Sequence, residues 1–289
     1  MNITRPILIV GTGRCGSTLL HNLLARHPGI TWFSGACNRW PRRPWINRAV
    51  LKSCSFAPAR PLIRRWAPPS ETTRYWEYLA PGFSWTQRDL DAGDLLPGVK
   101  KHVHTELSRH FVRGRPCQLH KFTGWPRLGY LHDLFPDAFF IHIIRDPRAV
   151  ACSFLNVEWW LGWRGPENWL WGPLPAEYDR EWRSSGRCYV VLSAIQWKIL
   201  MDAFQATRNR VPPDRWIELR YEELVADPVS VCRRVLEFCR LDTPSHFIAS
   251  LARLSLANRN DKWKEQLTAD QRDRLNASLA GHLEQYGYI

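Results

Sequence analysis

The stretch that decides the fold lies near the N-terminus, where residues 7–18 read ILIVGTGRCGST. Its first four residues are all apolar, which is typical of a β-strand buried on both faces in a parallel sheet. The leucines of residues 19–24 recur at helical spacing, and Pro28 and Gly29 end the segment. A strand, a glycine-rich turn and a helix in this order predict a loop whose backbone N–H groups bind a phosphate-like anion.

Three further segments are predicted strands, because each is short, mostly apolar and bounded by turn residues. They are residues 117–121, 139–144 and 216–219. A helix is expected over residues 148–154, directly after the second of them. Strands that alternate with helices predict an α/β fold with a doubly wound parallel sheet flanked by helices. We therefore expect one domain over residues 1–289.

Two helices near the C-terminus carry recognisable start signals. Asp227 is expected to cap a helix that begins at Pro228. Thr268 and Gln271 have the spacing of a capping box, which predicts a last helix that ends near Gly287.

Two stretches are expected to be long irregular excursions from this domain. Residues 36–70 are rich in Arg, Pro and Trp, and residues 157–187 contain six Trp among Gly and Pro. Loops of this length in a compact domain usually bind or cover a ligand. Since Trp rings pack well on sugars, aromatic groups and aliphatic chains, both excursions are predicted to line an acceptor site.

The charge of the chain is concentrated at one end. The first 70 residues contain 11 Arg and Lys residues and no Asp or Glu, so most of the net charge of +13 originates there. A basic segment around one loop indicates a polyanionic ligand at that place, and no nucleic-acid recognition motif accompanies it. We therefore expect no nucleic acid as a partner, whereas residues 39–65 are candidates to attract an anionic acceptor or a membrane surface.

The cysteines and the apolar runs of the sequence indicate in which compartment the chain is expected. The eight cysteines form no CxxC pair and no Cys/His cluster at zinc spacing, which favours free thiols in a reducing compartment and predicts no metal site. No apolar run is long enough to span a bilayer, and the four apolar residues 7–10 are too few for a signal peptide. The expectation is a soluble, cytoplasmic chain.

The glycine-rich loop matches two motifs, and its chemistry separates them. Gly11, Gly13 and Gly16 fit the dinucleotide fingerprint, but that motif needs an acid about 20 residues further on, and the first acid in the chain is Glu71. Gly11 and Gly16 also fit a Walker-A loop, except that Ser17 stands where the lysine belongs. The nicotinamide interpretation therefore fails, and the Walker-A interpretation is incomplete.

The positive charge that the Walker lysine would supply comes from arginines instead. Arg14 lies inside the loop, and Arg145 ends the strand over residues 139–144, where a nucleoside triphosphatase would carry a magnesium-binding acid. A kinase of the P-loop superfamily is kept as the alternative function, although it would need magnesium and a carboxylate to hold it.

Four motifs in order make the chain resemble the sulfotransferases that use 3′-phosphoadenosine 5′-phosphosulfate (PAPS), especially the compact bacterial members. The first is the loop over residues 11–18, and the second is Arg-Asp-Pro-Arg over residues 145–148 with a serine at Ser153. The third is Tyr-Glu-Glu-Leu over residues 221–224, and the fourth is the basic loop over residues 259–264. The resemblance implies a P-loop-like fold, PAPS as co-substrate, adenosine 3′,5′-bisphosphate (PAP) as product and no metal.

The resemblance also assigns two anion sites to the donor. Ser17 and Thr18, with Arg14 and Gly16, are expected at the 5′-phosphosulfate, and Arg145 with Ser153 at the 3′-phosphate. The full set of expected cofactor-binding residues is Arg14, Cys15, Gly16, Ser17, Thr18, Arg145, Ser153, Tyr221, Arg259, Lys262, Trp263 and Lys264.

The expected catalytic groups are two cations and a general base. Arg14 and Lys121 are expected to neutralise the transferring group, whereas the base is left open, because Thr123 stands where cytosolic members carry a histidine. The candidates are Glu71, ranked first, and then His120, Glu77, His102, His104 and Glu106. His102 and His104 alternate along the chain and would share one face of a strand. The acceptor is expected to be a hydroxyl of a natural product, a glycan or a glycolipid.

Overall fold

The centre of the molecule is a sheet of five parallel strands. A computed structural model describes residues 3–289 apart from residues 57, 59, 85 and 86. The strands are β1 (Ile7–Gly11), β2 (Ile30–Trp32), β3 (Cys117–Thr123), β4 (Phe139–Ile144) and β5 (Trp216–Arg220). Their order in the sheet is β2-β3-β1-β4-β5, and every neighbouring pair is parallel.

Helices connect the strands and cover both faces of the sheet. In chain order they are α1 (Ser17–Leu24), α2 (Ala36–Arg39), α3 (Pro44–Ser55), α4 (Arg60–Trp66), α5 (Thr73–Leu79), α6 (Pro97–Ser108), α7 (Leu128–Leu134), α8 (Pro147–Leu155), α9 (Ala176–Ser184), α10 (Tyr189–Thr207), α11 (Tyr221–Ala226), α12 (Pro228–Phe238), α13 (Ser245–Ala252), α14 (Lys262–Gln266) and α15 (Ala269–Gln285).

Alternation of side chains along the strands divides the apolar core into two layers. Ile7 and Ile9 of β1 face a layer that includes α1, α12 and α13, whereas Leu8 and Val10 face a layer that includes α5, α7, α8 and α10. Because both faces are covered, the strands are apolar nearly throughout. The predicted single-domain, doubly wound α/β fold is confirmed.

The register of the sheet brings three chain segments together at the carboxyl ends of the strands. Gly11, the last residue of β1, pairs with Thr123, the last residue of β3, and β4 lies on the other side of β1. The segments that follow β1, β3 and β4 therefore meet at the carboxyl ends of the strands, which is where open α/β sheets form their ligand crevices.

The predicted helix starts near the C-terminus are confirmed. The side chain of Asp227 accepts a hydrogen bond of 2.9 Å from the Ser230 N–H at the start of α12. Thr268 and Gln271 form the reciprocal capping box of α15, which ends at Gln285.

The prediction of an irregular excursion is wrong for most of residues 36–70, but in residues 157–187 it is wrong mainly for residues 176–184. Residues 36–70 contain α2, α3 and α4, and residues 157–187 contain α9. In α3, buried side chains recur at helical spacing at Asn47, Leu51 and Cys54, and Pro44 occupies the first turn, where proline is tolerated. Most of the arginines and tryptophans of residues 36–70 lie on these helices, whereas Trp40, Arg42 and Arg43 lie between α2 and α3.

Two local features differ from the sequence-based prediction. Strand β2 has only three residues, which is too short to give a periodic signal, and it was not predicted. Residues 102–104, whose histidines suggested a strand, lie within helix α6.

None of the described helices is both long and apolar enough to cross a membrane. All eight cysteines are free, and seven of them are buried.

Candidate functional site

The loop between β1 and α1 turns sharply because three of its residues adopt positive φ angles. These are Gly13 (85°), Arg14 (55°) and Gly16 (93°). A Cβ atom on Gly16 would lie 2.4 Å from the ring of Tyr221, so that only glycine fits. No side chain caps α1 at Gly16, and the N–H groups of the first turn are therefore available to an anion.

Four basic side chains and one serine lie together on one side of this loop, and we call them the arginine cluster. Its members are Arg14, Arg145, Ser153, Arg259 and Lys262, which line a cavity of about 250 Å³ together with Trp263 and other residues of α8 and α14. The Arg14 Nε donates a hydrogen bond of 2.9 Å to the Ser153 Oγ.

Arg145 is held at the centre of the cluster by neutral oxygen atoms. Its guanidinium donates to the carbonyl oxygens of Arg14 (3.1 Å) and Arg259 (2.7 Å) and to the Oδ1 of Asn260 (3.0 Å). The guanidinium carbon lies 4.3 Å from the centroid of the Tyr221 ring, which is a cation–π distance.

The charge of the cluster has no carboxylate partner among the described residues. The neighbouring Asp146 forms an ion pair of 2.8 Å with Arg148 instead. Burial lowers the pKa of the Arg145 guanidinium, which nevertheless keeps its charge at neutral pH, because an arginine is not deprotonated in proteins. One buried cation, Arg145, lies beside the exposed cations Arg14, Arg259 and Lys262, and such a group is suited to hold an anion.

A second group of residues lies on the other side of the loop, and we call it the lysine–glutamate pair. The Lys121 Nζ donates 2.9 Å to the Thr18 Oγ1 in the first turn of α1 and lies 3.1 Å from the Glu71 Oε2. Glu71 also accepts from the backbone N–H (2.7 Å) and the hydroxyl (2.9 Å) of Thr123. A carboxylate is thus fixed beside a cation that reaches the anion-binding loop.

Glu71 borders a small cavity of about 50 Å³ that has both aromatic and polar lining residues. Trp76, Phe83 and Phe122 line it, and Arg127 and Ser84 contribute polar atoms.

Two of the predicted catalytic residues lie away from both groups. His120 precedes Lys121 on β3 and so points to the opposite face of the sheet, where its ring stacks on Phe33 with centroids 4.7 Å apart. Burial lowers its pKa to about 3 and keeps the ring neutral. His104 lies on α6, where its Nε2 is 2.8 Å from the carbonyl oxygen of Leu134.

The remaining candidates for the base are also engaged elsewhere. The Glu77 carboxylate accepts from the N–H groups of Gly82 (2.6 Å) and Ser84 (3.0 Å). Glu106 pairs with Arg109 one turn along α6, and His102 packs edge-on against Tyr78. Among the candidates named from the sequence, Glu71 is therefore the one whose described contacts include Lys121.

Two predicted donor residues lie differently from the expectation. The Arg14 side chain was assigned to the first anion site, but it bonds Ser153 of the second. The Lys264 ammonium forms an exposed ion pair of 2.6 Å with Asp261 and does not line the cavity, whereas its neighbours Lys262 and Trp263 do.

Other predicted donor residues act through the backbone or through packing. Cys15 is buried and burial raises the pKa of its thiol, so that its contribution to the loop is its backbone. Tyr221 packs under Arg145 and against Gly16. Sequence reasoning missed the role of Asn260, although it lies inside the basic motif over residues 259–264, because nothing in the motif indicates that its side chain holds Arg145.

Fold and site together define an α/β protein with a P-loop-like anion-binding turn. The model of the Sulfotransferase family matches residues 6–245, and the chain therefore belongs to the sulfotransferase family. This membership makes it an enzyme that transfers a sulfuryl group, and it does not support the alternative of a kinase.

Known relatives agree with this membership. The chain is 25% identical over 315 residues to the omega-hydroxy-beta-dihydromenaquinone-9 sulfotransferase Stf3 of Mycobacterium bovis and of Mycobacterium tuberculosis, with 98% of this chain and 75% of each relative covered. Among solved structures, sulfotransferase STF9 of Mycobacterium avium matches with a TM-score of 0.58 and 17% identity, over 99% of this chain and 77% of the other. A sulfotransferase of Alicyclobacillus acidocaldarius matches with a TM-score of 0.52 and 16% identity, over 98% and 94% of the two chains. At these identities the two structures show the shared fold.

Proposed function

We propose that the protein transfers the sulfuryl group of PAPS to a hydroxyl group of a small-molecule, glycan or glycolipid acceptor, and releases PAP. The observation that carries the proposal is the placement of Arg145. This buried cation donates its hydrogen bonds to neutral oxygens alone among the described residues, beside a turn built to bind phosphate.

The two groups of the site match the two charged ends of the donor. PAPS carries a 5′-phosphosulfate and a separate 3′-phosphate, so that it needs two anion sites. We assign the 3′-phosphate to the arginine cluster and the phosphosulfate to the first turn of α1 with Lys121. Arg14 connects them, because its backbone belongs to the loop and its side chain bonds Ser153. Since these side chains neutralise the donor themselves, we expect turnover to persist in EDTA.

The transfer is proposed as an in-line displacement. The acceptor oxygen forms a bond to sulfur while the bond between sulfur and the bridging oxygen of PAP breaks, and the electron pair of that bond stays with PAP. Lys121 neutralises the charge that develops on the bridging oxygen, and Glu71 takes the proton of the acceptor hydroxyl.

Glu71 is proposed as the base because of its contacts with Lys121 and Thr123. The resemblance to cytosolic sulfotransferases places a histidine at the position of Thr123, and here the Thr123 hydroxyl bonds the Glu71 carboxylate. We infer that a carboxylate from the segment before α5 supplies the base at a position where β3 itself provides none.

The acceptor is proposed to be a hydroxyl-bearing molecule with an apolar part. Trp76, Phe83 and Phe122 beside Glu71 support this choice, and the name of the mycobacterial relatives specifies omega-hydroxy-beta-dihydromenaquinone-9. We further propose that the enzyme works in a reducing, cytoplasmic compartment, which the eight free cysteines support.

Calorimetric titration with PAP and with adenosine 5′-monophosphate tests the donor assignment. We expect PAP to bind at least tenfold more tightly, because hydrogen bonds to a charged group contribute about 1.5–3 kcal/mol. Arg145→Ala should remove this preference, whereas Arg210→Ala, which alters an exposed arginine paired with Asp91, should leave it intact. Equal affinity of the unmodified protein for the two nucleotides would refute the proposal.

A further inference from the structure

Four large apolar side chains are exposed on the neighbouring helices α3 and α4 and at the residue that follows α3. The exposed fractions are 56% for Trp45, 64% for Phe56, 61% for Leu62 and 81% for Trp66. Single exposed apolar residues are common on protein surfaces, but a group of this size on two neighbouring helices marks an interaction site.

Basic residues lie on the same faces of these helices. Along α3, Trp45, Arg48 and Lys52 are spaced so that they share one exposed side, which Phe56 continues just beyond the end of the helix. The opposite side of α3 is buried. On α4 the exposed residues Leu62, Arg65 and Trp66 likewise share one side. We call the group Trp45, Arg48, Lys52, Phe56, Leu62, Arg65 and Trp66 the basic–aromatic surface.

The charge on this surface has one sign. No Asp or Glu occurs in the first 70 residues. Within the described part of the chain, no ion pair involves Arg48, Lys52 or Arg65, or the nearby exposed arginines Arg39 and Arg43. A partner that covers this surface must therefore bring negative charge as well as an apolar layer.

We propose that the basic–aromatic surface docks the protein onto a membrane that contains anionic lipids. Helices that lie in a membrane interface carry Trp, Phe and Leu toward the acyl chains and Lys or Arg toward the headgroups, and this surface has that composition. A second copy of the chain would bring like charges together and is disfavoured. A nucleic acid would satisfy the charges but would leave Leu62 without an apolar environment.

Hydrogen bonds join α3, and the segment directly before Glu71, to the residues that follow β2. The Asn47 side chain of α3 donates 3.0 Å to the Trp32 carbonyl at the end of β2, and it accepts from the Ser34 N–H at 3.0 Å. The excursion returns where the Ser70 N–H donates 2.9 Å to the Phe33 carbonyl, directly before Glu71. The inference concerns binding alone and does not depend on the proposed transfer reaction.

Sedimentation of the full chain with lipid vesicles tests the proposal without donor or acceptor. We expect binding to vesicles in which about one third of the phosphatidylcholine is replaced by phosphatidylglycerol, and much weaker binding to phosphatidylcholine alone. Each basic residue near an anionic surface strengthens binding about fivefold. The triple variant Arg48→Gln, Lys52→Gln, Arg65→Gln should therefore bind about 100-fold more weakly.

Further variants separate the apolar contribution from the charge. The double variant Trp45→Ser, Trp66→Ser should lower the affinity about tenfold or more and make the remaining binding more sensitive to salt, because it keeps the cations and loses apolar burial. The matched control Trp159→Ser, Trp163→Ser removes two exposed tryptophans outside this surface. It should leave the affinity for the anionic vesicles unchanged. Unchanged melting temperatures establish that the variants fold.

The opposite outcomes would overturn the proposal. They are equal binding to the two kinds of vesicle, vesicle binding that is the same in the triple variant and the unmodified protein, or tighter binding to single-stranded RNA than to the anionic vesicles. Gel filtration that shows a dimer, converted to a monomer by Trp45→Ser and Trp66→Ser, would assign the surface to a second copy instead.

Discussion

The arginine cluster and the lysine–glutamate pair lie on two sides of one loop. They differ in whether a carboxylate lies beside the positive charge. Arg145 bonds neutral oxygens, and no carboxylate neutralises its cluster within the described structure. Lys121 lies 3.1 Å from a carboxylate. A cation without a counter-charge is suited to holding an anionic ligand, whereas a cation beside a carboxylate can stabilise developing charge while a proton moves. We propose that this difference separates donor binding from proton transfer within a single site.

Glu71→Gln should disrupt the lysine–glutamate pair and leave the arginine cluster intact. Of the substitutions discussed, it has the largest expected effect. The amide keeps the size of the side chain and can still accept from Thr123, but it cannot take a proton. We expect kcat to fall about 10²- to 10⁴-fold, which is the usual contribution of a general base. The PAP affinity should stay within about twofold, since this residue does not belong to the arginine cluster. Turnover rates and calorimetric titration measure the two quantities.

Glu77→Gln is the matched control, because Glu77 lies on the neighbouring helix α5 and its carboxylate accepts from two backbone N–H groups and not from Lys121 among the described contacts. Its turnover should be unchanged. If Glu71→Gln turned over at the rate of the unmodified enzyme, the base would have to be another group.

Gly16→Ala should disturb the loop that lies between the arginine cluster and the lysine–glutamate pair. Its expected effect is smaller than that of Glu71→Gln. Gly16 has a φ of 93°, and an added Cβ would meet the Tyr221 ring, which itself lies under Arg145. Left-handed strain costs about 1–2 kcal/mol and overpacking about 1–3 kcal/mol. We expect a loss of about 2–4 kcal/mol in the free energy of unfolding, together with weaker PAP binding, as measured by urea titration and calorimetry.

Gly186→Ala separates backbone strain from the contact with Tyr221. Gly186 has a φ of 71°, but no atom lies within 4 Å of the position of an added Cβ. This control should lose about 1 kcal/mol of stability and keep the PAP affinity unchanged. Equal effects of the two substitutions would show that the packing of Tyr221 against the loop is unimportant.

The two sides of the site also differed in how well the sequence predicted them. The turn over residues 11–18 and the position of Arg145 at the end of β4 were predicted, because glycines and a strand-terminal arginine leave a local signal. A parallel sheet then brings the strand ends together without further information. The fold followed from the same short apolar strands.

What the sequence did not predict depends on contacts between distant segments. The helices of residues 36–70 were mistaken for loops, because arginines and tryptophans mask their buried faces. The Arg14 side chain was assigned to the phosphosulfate, yet it bonds Ser153, 139 residues away. Likewise, Glu71 could only be ranked among six candidates until its contacts with Thr123 and Lys121 were known.

His120 sharpens the comparison because it is adjacent to Lys121 in sequence but lies in the core. Its pKa is lowered from 6.5 to about 3 by burial, so the folded protein keeps it neutral while the unfolded chain takes up a proton below pH 6.5. Its contribution to stability is therefore complete above pH 6.5 and declines as the pH falls from 6.5 toward 3, by at most about 1.4 kcal/mol per pH unit.

His120→Phe preserves an aromatic ring beside Phe33 and removes the proton-binding group. The free energy of unfolding of this variant should therefore fall less steeply between pH 6 and pH 4, while kcat stays near that of the unmodified enzyme. Phe139→Leu, a core substitution on the other face of the sheet, should lower stability by about 1 kcal/mol at every pH and leave the slope unchanged. Parallel stability curves for His120→Phe and the unmodified protein, or a large loss of kcat, would instead place His120 in an ionisable and functional environment.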